Sequence, residues 1–160
     1  MHTYFSHFRQ RYYMINTISA KKELYSCIRK VRNDMRSKFI QCGMYGWCME
    51  VLWTGLNSLI HHDPKLMGFS SLRMFPIYGM AAFISPLSSC LKKCRTFTRG
   101  IIYMICIFMV EYTSGTYLKK RGCCPWDYSD APLQVNGVIR LDYAPLWFLT
   151  GLFYEKRLKQ

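Results

Sequence analysis

Four long apolar blocks constrain this chain more than any other feature of its sequence. They cover about residues 43–60, 74–91, 100–118 and 138–154, and basic residues cluster before, between and after them. Each block approaches the roughly 20 residues that an α-helix needs to cross the hydrocarbon core of a bilayer. So many blocks in a short chain leave too little polar surface for a soluble helical domain. The pattern predicts an all-α, multi-pass transmembrane helical bundle of about four short spans, with a basic N-terminal segment.

The chain divides by charge at about residue 40. Residues 1–40 form a basic leader, predicted to be cytosolic, and residues 41–160 form the predicted transmembrane domain. The leader has two open interpretations. It is either partly disordered or an amphipathic helix between Lys21 and Lys38 that lies on an anionic leaflet, because apolar residues recur there at helical spacing among lysines and arginines.

The net charge of +13 suits either a nucleic acid or an anionic membrane surface. Because the basic clusters flank apolar blocks, we expect a lipid bilayer as partner and no nucleic acid. Counting four spans, 16 of the 22 Lys and Arg lie in the two tails and the second loop. The positive-inside rule then predicts an integral membrane protein with both termini in the cytoplasm. If one block is only re-entrant, the C-terminus changes sides.

Charged and polar residues inside the blocks define a candidate intramembrane site. Such residues are costly in lipid and tend to face partners or water. One interpretation is a polar cavity that handles a proton, a cation or a polar headgroup. The other is a packing network of hydrogen-bonded carboxyls, with an arginine as salt-bridge partner. The candidate residues are Glu50, Thr54, Asn57, Glu111, Arg140 and Asp142.

The loop before the fourth block carries the second candidate motif. Its aromatic residues suit the headgroup level of a membrane, and its Asn-Gly pair is a strong turn signal. Both a structural cap and a headgroup-binding or catalytic loop explain this composition. The residues are Trp126, Asp127, Tyr128, Ser129, Asn136 and Gly137.

Familiar catalytic signatures are absent from the sequence. It has no phosphate-binding P-loop and no nucleophile elbow. Cys90 and Cys94 have a spacing compatible with zinc but lack a second pair of ligands. The sequence therefore predicts no metal and no cofactor, assigns no catalytic residue, and favours a protein that is not an enzyme.

Five ordered motifs resemble the ABC-transporter permease (type IV-like) family of small membrane proteins. They are Gly46-Trp47-Cys48-Met49-Glu50, Pro76-Ile77-Tyr78-Gly79, Glu111-Tyr112-Thr113-Ser114-Gly115, Trp126-Asp127-Tyr128-Ser129 and Asn136-Gly137-Val138-Ile139. Residues 124–129 and 141–144 are most similar to the vertebrate transmembrane protein 229 group. The resemblance covers about residues 45–155 and implies a helical, multi-pass fold with a transporter-like or accessory role. It brings no catalytic residue.

Three functions stay open at this point. The chain is a transporter-like or accessory component, a membrane enzyme acting on lipid headgroups, or a non-catalytic membrane scaffold. Four short spans are few for a complete transporter, so the first function implies a homo-oligomer or a partner subunit.

Overall fold

The computed structural model describes the backbone of residues 2–159 and the side chains of residues 20–159. Its contacts divide the chain into two compact units, residues 1–37 and residues 38–160. In the first unit, the described residues are helical, and residues 20–34 are all exposed. The side chains of residues 1–19, which belong to the predicted leader, lie outside the described part. The predicted division at residue 40 into leader and membrane domain stays a prediction.

The elements are mostly helices. Helix α1 covers His2–Ile60, α2 Met74–Gly79, α3 Ile84–Cys90, α4 Thr96–Lys120 and α5 Ala144–Leu158. Short 3₁₀ segments at Met80–Phe83 and Leu141–Tyr143 precede α3 and α5. Strands β1 (Gln134–Val135) and β2 (Ile139–Arg140) form an antiparallel hairpin, with Gln134 opposite Arg140. The all-α class predicted from the sequence is confirmed.

Neighbouring segments of the second unit run antiparallel. Along α1, Lys38 binds the hydroxyl of Ser85 at 3.0 Å, and Trp47 further on binds the carbonyl of Ser71 at 3.0 Å. Helices α1 and α5 are also antiparallel. The hydroxyl of Tyr154 donates to the carbonyl of Cys42 at 3.1 Å, whereas Tyr143 meets Trp53 much later along α1.

In the part of the chain whose side chains are described, few apolar residues are buried and many are exposed. Among residues 20–159, the buried apolar residues are Cys42, Met74, Ala82, Ile84, Tyr103, Val138, Ile139 and Tyr154. Many large apolar side chains are exposed instead, such as Leu72 at 78%, Phe97 at 69% and Met109 at 62%. Since soluble monomers expose few large apolar patches, so many exposed apolar side chains favour a protein whose surface meets another apolar phase.

Within the described residues, α4 is the one helix long and apolar enough to cross a membrane. At 1.5 Å per residue its 25 residues extend about 37 Å, which exceeds a hydrocarbon core of about 30 Å. The second apolar block is divided into α2, a 3₁₀ segment and α3. In the fourth block, helix α5 begins only at Ala144. Polar residues from Glu50 onward dilute the apolar part of α1. The predicted number of four spans is therefore not shown.

Candidate functional site

Glu50 of α1 is held by two hydroxyl groups from the segment that follows α1. Ser70 Oγ donates to Glu50 Oε2, and the hydroxyl of Tyr78 in α2 also hydrogen-bonds this carboxyl. Gly46 lies one helical turn before Glu50, on the same face. The Tyr78 ring packs so closely on Gly46 that a Cβ there would collide with it. Gly46 therefore leaves room for the Tyr78 ring, and Glu50 accepts a hydrogen bond from the Tyr78 hydroxyl.

The other candidate residues on α1, Thr54 and Asn57, have different contacts. Thr54 Oγ1 accepts from the Phe69 backbone N–H at 2.8 Å, and Ser58 Oγ donates to the carbonyl of Met67 at 2.9 Å. The side chain of Asn57 is exposed, and the backbone carbonyl of Asn57 accepts from the His61 backbone N–H. Thr54 thus binds the segment that follows α1 back onto α1. Of the three candidate residues on α1, only Glu50 contacts Tyr78 of α2.

Glu111 of α4 also accepts a hydrogen bond from another segment, here from an aromatic residue of α5. Trp147 Nε1 donates to Glu111 Oε2 at 3.1 Å. Gly115 lies one turn further along α4, and a Cβ there would stand 3.0 Å from both the Trp126 ring and Val138. Unlike at Gly46, the two residues contact different segments: Gly115 allows the close approach of Trp126 and Val138, and Glu111 bonds α5.

Tyr128 lies within electrostatic range of both carboxyls. Its half-buried phenol interacts electrostatically with both Glu111 and Glu50, and with the phenol of Tyr78. Burial, and next the Glu111 carboxylate, raise the pKa of Tyr128, so this phenol stays protonated and available as a donor. We call Glu50, Tyr78, Glu111, Tyr128 and Trp147 the carboxylate cluster. Its ionisable and hydrogen-bonding groups could hold a proton or a cation.

Arg140 and Asp142 border this cluster as a pair of their own. Arg140 Nε donates to Asp142 Oδ1 at 3.1 Å, and its guanidinium lies 4.5 Å from the centroid of the Tyr143 ring and 5.9 Å from that of Tyr128. The hydrogen bond from Arg140 lowers the pKa of Asp142. The arginine therefore pairs with Asp142, and its link to the cluster runs through aromatic rings rather than through Glu111.

The Asn136-Gly137 pair forms the hairpin turn that its sequence signal predicts. Both residues have positive φ, 54° and 66°, and the Val138 N–H bonds the carbonyl of Val135 at 3.1 Å, as in a type I′ turn. A Cβ on Gly137 would collide with Lys119, Ser129 and Asp127. Glycine is needed there both for its backbone angle and for this close approach.

Asp127 and Ser129 bond to each other and to α4. Lys119 Nζ lies 3.3 Å from Asp127 Oδ1, 3.4 Å from Ser129 Oγ and 3.2 Å from the carbonyl of Asn136. Hydrogen bonds from Ser129, and then the one from Lys119, lower the pKa of the exposed Asp127. This carboxyl therefore stays ionised at neutral pH and anchors the loop on the end of α4.

The remaining loop residues are also bonded within the protein. Trp126 Nε1 donates to the carbonyl of Val138 at 2.9 Å, and Asn136 Nδ2 donates to the Tyr112 hydroxyl at 3.0 Å. The Tyr128 N–H bonds the carbonyl of Gly137 at 2.9 Å. These bonds hold the loop in a conformation that brings Tyr128 within electrostatic range of both carboxyls.

Several residues of these clusters were not predicted from the sequence. Ser70, Tyr78 and Trp147 donate to the two carboxyls, and only Tyr78 stood in a motif. Glu155 of α5, which is 4% exposed, forms a second ionic cluster with Arg99 of α4 at 3.1 Å and with Lys159. Among the described residues, no group of three or more His, Cys, Asp or Glu could hold a metal ion.

These features define a predominantly helical protein with a candidate membrane-spanning helix and a polar cluster where its helices meet. The chain belongs to the family described as "Putative ABC-transporter type IV", whose sequence profile matches residues 37–160. The family predicted from the ordered motifs is therefore confirmed, and membership is consistent with a membrane location and a transporter-like or accessory role. No solved structure matches the chain.

Proposed function

We propose that residues 38–160 form a four-span membrane bundle and that the protein is a transporter-like or accessory membrane component. The carboxylate cluster is the working site of this proposal. The observation that carries it is that Glu50 and Glu111, two carboxyls in apolar stretches of different helices, each accept a hydrogen bond from a side chain of another segment.

Exposed apolar side chains support the membrane part of the proposal. In the most apolar stretch of α4, only 11% of residues are buried, whereas a core helix of a soluble protein would be mostly buried. The second segment, Met74–Cys90, is also apolar, and α5 has 15 residues. These two extend only about 25 Å and 22 Å. Local thinning of the bilayer or tilting of the longer helices would accommodate that mismatch.

The end-to-end distribution of basic residues supports cytoplasmic termini. Because neighbouring segments are antiparallel, Lys38, Lys92 and Arg99 share one end of the second unit with the C-terminal part of α5. The opposite end holds Lys119 and the hairpin. More Lys and Arg lie at the first end, which the positive-inside rule assigns to the cytoplasm.

Ionisable groups in apolar surroundings support a role in moving a proton or a cation. A carboxyl among membrane helices is costly, and such carboxyls commonly mark substrate or ion paths. The chain contains no P-loop, so any ATP hydrolysis would come from a separate subunit. Within its family, we place the protein nearest the vertebrate transmembrane protein 229 group, on the motifs at residues 124–129 and 141–144.

A non-catalytic scaffold is the second candidate, because both carboxyls already have donors inside the protein. Ser70 and Tyr78 donate hydrogen bonds to Glu50, and Trp147 donates one to Glu111. A network that only fixes helix packing would need these bonds but not the ability to ionise. The two functions therefore differ in what Gln substitutions should do.

Flux measurements on Glu50→Gln and Glu111→Gln separate the two functions. Gln keeps an acceptor oxygen for the donors but cannot ionise. With the protein in liposomes loaded with a pH-sensitive dye, we expect wild type to collapse an imposed proton gradient and both variants to lose that activity while folding normally. Glu23→Gln, an exposed position of the first unit, is the matched control. If the wild-type proton flux equals that of empty liposomes, or if both variants keep the wild-type flux, the scaffold function is favoured.

A further inference from the structure

The described part of the first unit exposes an apolar stripe. Leu24, Ile28 and Val31 of α1 are 59%, 52% and 58% exposed. Their spacing of four and then three residues places them on one face of the helix. Cys27 is exposed at the edge of this stripe. We call residues 20–37 the basic segment.

The basic segment carries charge of one sign beside its stripe. It contains six Lys and Arg against Glu23 and Asp34, and these basic residues are exposed. Arg29, Arg32 and Arg36 follow the same spacing of three and four, so they form a line parallel to the stripe. An exposed apolar stripe bordered by a line of arginines is the pattern of a helix that lies in a membrane interface.

We propose that the basic segment binds the surface of an anionic leaflet, with the stripe inserted at the headgroup boundary and the arginine line against lipid phosphates. Charge complementarity identifies the lipid, because anionic headgroups attract clustered Lys and Arg next to a membrane. A nucleic acid would leave the apolar stripe in water, and a second copy would bring like charges together. The proposal requires the chain to reside in a membrane but not the carboxylate cluster to work.

Native Cys27 provides the probe for the test. A full-length variant that retains Cys27 as its only cysteine is labelled with an environment-sensitive fluorophore and placed as single copies in nanodiscs. The discs contain phosphatidylcholine alone or phosphatidylcholine mixed with phosphatidylglycerol. We expect blue-shifted, brighter emission only in the anionic discs. High salt should reverse the shift, because the Debye length falls from about 10 Å at 0.1 M to about 3 Å at 1 M.

Matched charge removals make the test specific. Replacing Arg29, Arg32 and Arg36 with Gln should abolish the shift, and Ile28→Ser should weaken it. Replacing Lys92, Lys93 and Arg95 with Gln removes the same number of charges elsewhere and should leave it intact. Gel filtration confirms that each variant is folded and incorporated.

Two results would overturn the proposal. Equal emission in neutral and anionic discs would mean that anionic lipid does not bind the segment. A shift that appears only when two copies share one disc would assign the stripe to self-association. Neither result bears on proton flux through the carboxylate cluster, so this proposal and the proposed function fail separately.

Discussion

Each carboxyl of the cluster depends on a donor from a distant part of the chain. Glu111 receives the indole N–H of Trp147, and Glu50 receives the hydroxyls of Ser70 and Tyr78. A half-buried acceptor that loses its donor is left without the water it gave up on folding, so the loss is larger than the strength of the bond suggests. These side chains therefore determine which helix faces meet.

Trp147→Phe tests this dependence at one residue. Phe keeps an aromatic ring but removes the N–H that Glu111 accepts, so we expect destabilisation of about 1–3 kcal/mol. Thermal unfolding of the purified protein in detergent measures the loss. Trp53→Phe is the control, because the Trp53 ring is 51% exposed and makes an edge contact with Tyr143 at 6.2 Å. Equal losses in the two variants would show that ring size, and not the hydrogen bond, is responsible.

Sequence reasoning could find the carboxyls but not their donors. Glu50 and Glu111 stand out because a charge within an apolar block is expensive. Tyr78 and Trp147 do not, because aromatic residues fit an apolar block whether or not their polar atoms have partners. Ser70 lies in a connection with no periodic signal, and only the return of the chain along α1 brings it to Glu50.

At the scale of elements, close approach at glycine fixes how the helices pair. The Tyr78 ring packs closely on Gly46 of α1, and the ring of Phe148 from α5 packs closely on Gly100 of α4. Without a strong hydrophobic force between helices in lipid, contacts of this kind and hydrogen bonds supply the association energy. The spacing of Gly46 and Glu50 thus encodes one helix-pairing site.

Gly46→Ala and Gly55→Ala form a matched pair within α1. A Cβ at position 46 collides with Tyr78, whereas one at position 55 meets its nearest neighbour, a backbone atom, at 3.8 Å. We expect Gly46→Ala to destabilise the fold by about 1–3 kcal/mol through overpacking. Gly55→Ala should be neutral or stabilising by up to about 1 kcal/mol, since Ala favours helix over Gly. The same detergent unfolding assay measures both, and equal effects would contradict the packing role of Gly46.

The helices themselves were largely predictable, and their interruptions were not. Apolar composition locates α4 because it contains a long, mostly apolar stretch. The fourth block begins instead with strand β2 and a 3₁₀ segment, because the Asn136-Gly137 turn and the Arg140–Asp142 pair organise its first residues. Long-range bonds of the loop, such as Trp126 to Val138, decide where α5 can start. Hydropathy does not register such bonds.

At the scale of the whole molecule, cysteines mark both ends of the second unit. Cys94 follows the basic pair Lys92-Lys93 just before α4, and Cys123 follows Lys119, Lys120 and Arg121 just after it. Both are half-buried, so they present comparable surfaces to a reagent. The length of α4 between them, about 37 Å, would place them on opposite sides of a bilayer.

Labelling of single-cysteine variants tests the proposed topology. A membrane-impermeant maleimide applied to intact cells should modify Cys123, and should reach Cys94 only after permeabilisation, because the end richer in basic residues stays cytoplasmic. A third variant, Lys159→Cys, reports the side on which α5 ends and should behave like Cys94. Reversed labelling of Cys94 and Cys123 would mean that the segment from Met74 to Cys90 is re-entrant or that the whole bundle is inverted. Labelling of residue 159 together with Cys123 would instead make α5 the re-entrant segment, because its 15 residues would then return to the side on which they entered.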